Sequence, residues 1–315
     1  MKAKMINATR IEGYIYESKL EEKTAGATSA HPGVKYIAGD LNIATDNAGT
    51  NIVTVHYTYV VPTTSTGKNN PNYTVLSDII SGKYKTAMRD GINNATYVRI
   101  DSAIGLNEFY TESRSNPGTE ELVSAKRNEG GFIRIVNPSD IATDEHARAT
   151  FDVDMIITGS TYKEADPEKD LPAKLTIKGA IFDFRKALLP IEFAVTNPSA
   201  INYFESLEAS NTNPVFTRIR GQQISTTIKR TYTEESAFGE ASVREVTSSK
   251  KEYVVTWAAK DPYVWDDEDT ITIAELKDAM ANREMTVATL KQRREEYKAS
   301  QGQKPISTTT SGFNF

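Results

Sequence analysis

The chain is written twice, and a duplication restricts a fold more tightly than any composition does. Tyr97-Val98-Arg99-Ile100 in the first half is answered by Phe216-Thr217-Arg218-Ile219 in the second. A small polar run ending in a basic dyad follows each: Ser124-Ala125-Lys126-Arg127, then Thr247-Ser248-Ser249-Lys250-Lys251. Upstream, Lys35-Tyr36-Ile37-Ala38-Gly39 is answered by Lys174-Leu175-Thr176-Ile177-Lys178-Gly179, and Gly13 by Gly159. Four landmarks recur in one order, about 120 to 146 residues apart, which predicts two similar β-rich units rather than one large sheet. With 315 residues, each unit has enough chain to bury its own core.

The first copy reads as short strands broken by turns. Residues 11–18, 34–44 and 51–61 are rich in β-branched and aromatic side chains, with Asp46-Asn47-Ala48-Gly49 placed to turn between the last two. Residues 74–89 carry Val75, Leu76, Ile79 and Ile80 at helical spacing, and strands follow at 96–106 and 131–136. Three strands, a helix and two strands is the order of a five-stranded OB barrel. In the second copy the strands fall at 151–158, 174–184, 191–196, 215–232 and 252–258, with a helix at 198–209. Gly39 and Gly179 sit in strand interiors, where glycine permits the sharp bend of a small barrel. The fold class is therefore mainly β: two tandem OB-like five-stranded barrels over 1–140 and 141–260. An acidic hinge and helix over 261–300 follow, then a tail over 301–315 too polar to bury a core. Thr272 and Glu275 form a capping box for that last helix, whose heptad seam is interrupted by Arg283 and Arg294.

Several chemistries are excluded. There is no cysteine, hence no disulfide scaffold, thiolate metal site or cysteine nucleophile. His31, His56 and His146 have no metal-ligand spacing. Gly130-Gly131 stands alone before a strand rather than in a phosphate loop, and no Gly-x-Ser-x-Gly occurs. The expectation is a protein that is not an enzyme and needs no cofactor or metal. No apolar run is long enough to span a membrane, so a soluble, cytoplasmic chain is expected. A net charge of −5 weighs against a uniformly basic surface but leaves room for a local basic groove.

What remains is a set of aromatics and cations out of phase with the aliphatic core. Alternation puts Tyr14, Tyr16, Tyr36, Tyr97, Arg99, Phe132 and Arg134 on the outside of the first barrel, with His56 beside them. Lys178, Phe182, Phe184, Phe216, Arg218 and Arg220 lie likewise on the second. With Lys126, Arg127, Lys250 and Lys251 they form the candidate nucleic-acid surface, because aromatic faces stack on bases while cations meet phosphates.

The duplicated strand order, the Tyr97-x-Arg99 and Phe216-x-Arg218 strands, and a low-complexity tail with Phe313 and Phe315 resemble bacteriophage single-stranded DNA-binding proteins of the tandem OB-fold kind. The resemblance implies sequence-tolerant binding of single-stranded DNA in phage replication or recombination, inside the infected bacterial cell. It also implies recruitment of replication proteins through Phe313 and Phe315, although Gly312 and Asn314 stand where bacterial relatives carry acids. A homo-oligomer is compatible with this. Two readings from other classes stay open: a structural virion protein built from two β domains, and a sugar- or protein-binding module on the same frame.

Overall fold

The computed structural model describes residues 5–167, 172–234, 242–267 and 270–302, without side chains for 226–250 and 301–302. It is mainly β. Strands β1 (Asn7–Thr24), β2 (Lys35–Ala44) and β3 (Ile52–Val60) are followed by helix α1 (Pro71–Ile80) and the short helix α2 (Ala87–Asp90). Then come β4 (Tyr97–Glu112) and β5 (Glu120–Ile135). The second half runs β6 (Ala149–Lys163), β7 (Lys174–Phe182), β8 (Leu188–Val195), helix α3 (Pro198–Ser206), β9 (Val215–Glu234) and β10 (Ser242–Ala258). A single helix, α4 (Ile273–Gly302), ends the described chain.

Pairing closes each set of five strands into a ring. β1 pairs β2, β2 pairs β3, β3 meets β5 in parallel, β5 pairs β4, and β4 returns to β1. The second set repeats this as β6, β7, β8, β10, β9 and back to β6, with β8–β10 the parallel contact. The interiors are the expected aliphatic alternations: Ile11, Ile15, Ile37, Leu41, Val55 and Ile100 in the first ring, and Val153, Ile177, Phe193, Ile219 and Val255 in the second. Residues Asn7–Ile11 of β1 also pair with β6, so both rings belong to one ten-stranded sheet.

The glycines expected to bend the strands do so because another backbone presses on them. A Cβ on Gly39 would stand 2.2 Å from the Lys19 carbonyl oxygen, and one on Gly179 would stand 1.9 Å from that of Ile156. Gly13 and Gly159, by contrast, are not equivalent. Gly13 lies against the Ala44 carbonyl, whereas Gly159 has open space around it and sits at the β6 bulge.

Three local readings need correction. The helix expected at 74–89 ends at Ile80, where Ser81 caps it and Gly82 has φ 83°. The two short strands expected at 96–106 and 131–136 are the ends of a long β4–β5 hairpin, paired from Val98↔Ile135 out to Glu112↔Glu120. The Lys126-Arg127 dyad therefore lies within a strand. The seam arginines of α4 are not faults in a coiled coil but the means by which the helix is held. After the capping box, Glu275 N donating to Thr272 Oγ1 at 3.1 Å and Thr272 N to the Glu275 carboxylate at 2.9 Å, α4 buries Leu276 and Ala279 on the second ring. It then runs along β4, where Arg283 makes a bidentate pair with Glu108, both nitrogens at 2.5 Å. Arg294 and Lys298 meet Glu120 further on.

Burial opposes ionisation of Glu108, but Arg283 outweighs it and holds the carboxyl below the usual glutamate value of 4.5. Its folded value being depressed, the stability it contributes is present above that value and is lost as pH falls through the lower folded value. Arg283→Met should cost about 3 kcal/mol by leaving a buried charge alone, while Glu108→Leu with Arg283→Met should recover most of it. Thermal melts of the two variants at pH 7 check this.

Candidate nucleic-acid interface

The two long hairpins cross, each reaching the opposite ring. From the β4–β5 hairpin, the Lys126 ammonium donates to the Glu192 carbonyl on β8 at 2.6 Å and lies over the rings of Tyr253 and Phe193, at 5.1 and 5.9 Å. From the β9–β10 hairpin, the Lys251 ammonium donates to Thr54 Oγ1 on β3 at 2.9 Å. Desolvation of each ammonium lowers its pKa below the usual lysine value, against the opposing pull of Glu192 and Glu252 on Lys126 and of Asp40 on Lys251. Each donates to a neutral oxygen.

Between the hairpins lies a groove of about 520 Å³ whose walls include His56, Lys126, Arg127, Ser225 and Lys251. Arg127 is paired with Glu129 at 2.5 Å, and the His56 Nδ1–Asp40 Oδ1 distance is 2.7 Å. The groove is therefore mixed in sign: Asp40 and Glu252 line it too, and Lys126 and Lys251 donate to neutral oxygens while carboxylates stand nearby. It opens onto the outer face of β2 and β3, where registered pairs Asp40↔His56 and Asn42↔Thr54 lead away from it. At the far end of that face Tyr36 and Tyr59 pack at 4.7 Å between centroids, and Tyr59 is 42% exposed.

The candidate residues divide into three groups. Tyr36, His56, Lys126, Arg127 and Lys251 are brought together along the groove and the face it opens onto. The side chain of Lys250 and the whole of Phe313 and Phe315 lie outside the described residues. The remaining ones are elsewhere, for reasons that can be stated.

Tyr14, Phe182 and Phe216 cannot offer a ring to a base, being only 2, 4 and 2% exposed. They do point out of their barrels, as alternation required, but later segments cover them. Tyr14 packs with Ala44 and Ala95 and meets Tyr97 edge-on at 5.8 Å, with Tyr16 and Tyr97 partly buried around it. Phe216 lies under Tyr263 and Trp265, at 4.8 and 5.7 Å, and Phe182 under the start of α4. The arginines called as phosphate contacts are engaged with carboxylates: Arg99 with Glu12 at 2.6 Å, Arg134 with Asp101 at 3.0 Å, and Arg218 and Arg220 with Asp152 at 2.6 and 3.1 Å. Burial opposes ionisation of Asp152, but Arg218 and Arg220 hold its carboxyl below the usual range. Its neighbour Asp154 is a different case, raised by burial while Tyr263, on the far side of their 2.9 Å hydrogen bond, is pushed up to about 12. Lys178 faces Glu192 at 3.7 Å, and Phe184 is 87% exposed on the β7–β8 turn, away from the groove. Phe132 is also exposed, on β5 opposite Asp101 of β4, and is not among the residues lining the groove.

Tyr59 and the amides Asn128 and Gln223 were not singled out in the sequence. Tyr59 falls in a Tyr-Thr-Tyr run whose first member, Tyr57, is buried. A bulge between Ile37 and Gly39 shifts the register there, and strict alternation does not reveal which tyrosine faces out.

Phe216→Ala should lower stability by about 3 to 5 kcal/mol, as loss of a buried aromatic does, whereas Tyr59→Ala should leave the melting temperature nearly unchanged. Differential scanning fluorimetry of the two variants distinguishes cover from exposure.

A family model described as YorF matches residues 5–293, and the chain belongs to that family. No curated protein matches it in sequence. Among solved structures, it is similar to the wild-type single-stranded DNA binding protein from Thermus aquaticus, at 9% identity and a TM-score of 0.45, over 84% of this chain and 97% of that one. A deletion mutant of the same Thermus aquaticus protein gives 10% identity, a TM-score of 0.45, and coverage of 84% and 98%.

Proposed function

We propose that this YorF-family chain binds single-stranded DNA without strong sequence preference, and that the groove between the crossed hairpins is where the strand runs. The observation that carries the reading is the crossing itself: Lys126 and Lys251, from opposite hairpins, border one groove, and each donates to a neutral oxygen rather than to a carboxylate. A backbone phosphate can take such an ammonium from its neutral oxygen partner. Arg127 and His56 line the same groove. The Tyr36–Tyr59 pair, further along the β2–β3 face, supplies a ring surface on which a base can stack whatever its identity.

The division into barrels over 1–140 and 141–260, a hinge and helix over 261–300 and a tail over 301–315 belongs to the same reading. So do the absence of catalysis, protection of exposed strands in phage replication or recombination, action in the host cytoplasm, and recruitment of replication proteins through Phe313 and Phe315.

Labelled oligo(dT) in fluorescence polarisation, titrated across a salt series, tests the binding. With Lys126 and Lys251 each meeting a phosphate, log affinity should fall against log salt with a slope of about 1.4, at 0.7 per contact on a single strand. Lys126→Ala or Lys251→Ala should each reduce that slope by about 0.7. Oligonucleotides of different base composition should bind about equally, since phosphate contacts carry no base information. No binding at low salt, or a flat salt response, would exclude the groove and favour a shell protein or a sugar-binding module.

A further inference from the structure

The two hairpins are joined beneath the groove by side-chain amides. Asn128 of β5 and Gln223 of β9 are 3 and 5% exposed and exchange two hydrogen bonds, Asn128 Nδ2 to Gln223 Oε1 at 2.9 Å and Gln223 Nε2 to Asn128 Oδ1 at 3.0 Å. The Asn128 amide also donates to the Thr54 carbonyl at 3.0 Å. Thr54 is the residue whose hydroxyl accepts from Lys251. Beside this pair, Asn51 extends its amide to β9 as though it were a neighbouring strand: Ser225 N donates to Asn51 Oδ1 at 2.6 Å, and Asn51 Nδ2 donates to the Gln223 carbonyl at 3.2 Å.

We infer that Asn128 and Gln223, seconded by Asn51, are positioning residues that lock the two hairpins into a single binding site. The inference rests on the groove being the nucleic-acid path. Asn128 and Gln223 are too buried to grip a ligand, and each belongs to a different ring. Asn128 directly follows Arg127 and lies two residues from Lys126. Gln223 lies two residues before Ser225, which β-sheet register pairs with Lys251. Fixing the amides to one another therefore fixes the spacing between the cations of one hairpin and the cation of the other. A buried amide pair suits this task because it is directional: a slip of either strand by one residue would strand four polar groups away from water, each at a cost of about 1 to 3 kcal/mol. An apolar contact would tolerate such a slip. The consequence is that the rings do not bind as two independent modules. They present one groove, and a strand seated in it touches both hairpins at once.

The test is the salt slope of oligo(dT) binding by the full chain, read beside its melting temperature. Asn128→Leu with Gln223→Leu removes the amide pair while retaining bulk, and replacing both together leaves neither amide facing an apolar side chain, although the Thr54 carbonyl loses its donor. The double variant should bind more weakly, with a slope lower by about 0.7 because one phosphate contact drops out when the hairpins lose register. In this background, Lys251→Ala should have little further effect, whereas in the wild type it should weaken binding. The exchanged pair Asn128→Gln with Gln223→Asn keeps amide facing amide and should restore the slope. An unchanged slope in the leucine pair, or Lys126→Ala and Lys251→Ala effects that add independently in the wild type, would overturn the clasp. If the leucine pair does not fold, additivity in the wild type alone decides. Failure of the wild type to bind oligo(dT) at all would instead count against the groove itself.

Discussion

The architecture hangs on the two edges of strand β1. Along one edge Thr9–Tyr14 pair with β4 and close the first ring. Along the other, Asn7–Ile11 pair with β6 and attach the second ring, and from Tyr14 onward the partner becomes β2. One strand thus serves three neighbours, and the change of partner falls at Glu12 and Gly13. The polar groups of Glu12 are taken up there. The Glu12 amide donates to the Arg148 carbonyl at 2.7 Å, and its buried carboxylate accepts from Arg99 at 2.6 Å and from the Ala142 amide at 2.8 Å. Gly13 is where the Ala44 carbonyl approaches, to 2.0 Å from the place a Cβ would occupy. Arg99, which looks from the sequence like a free phosphate contact, is instead needed to satisfy the buried Glu12.

With the rings held together at β1 and β6, the hairpins have only one place to go. Each is longer than its ring requires and projects across the junction, so that the fifth strand of one unit meets the third strand of the other: Lys126 at Glu192 on β8, Lys251 at Thr54 on β3. α4 acts on the same arrangement from outside. Its first turns cover Phe182 and Phe216 of the second ring, and its later arginines hold the β4–β5 hairpin through Glu108 and Glu120. The groove is thus a product of tertiary placement, built by segments far apart in the chain.

That history explains what could be seen in the sequence. The duplication, the strand order and the helix between third and fourth strands were visible because each depends on local periodicity. Lys35 and Lys174 do open the second strand of their rings, and both basic dyads do lie on fifth strands. Alternation also separated inside from outside correctly for Tyr14, Phe182 and Phe216. It could not say that Ala95, α4 and Tyr263 would lie over them, because outward from a barrel is not the same as toward solvent. Nor could it say which arginines would find carboxylates, since Asp152 and Glu12 reach Arg218 and Arg99 through strand register that only the folded sheet fixes. The amides Asn128 and Gln223 had no signal at all, being polar residues in strands that meet across two rings.

The central claim is that a single strand of DNA runs through the groove between the crossed hairpins. Hydrogen–deuterium exchange of the full chain, with and without saturating oligo(dT), tests it most directly. Protection should concentrate in β2 and β3 over 35–44 and 52–60, in the β5 segment 122–128, where Lys126 and Arg127 sit, and in the second hairpin at 223–225 and 251–253, with Lys251. Protection confined to segments that do not line the groove, such as 149–154 around Asp152, or no change on adding DNA, would contradict the account.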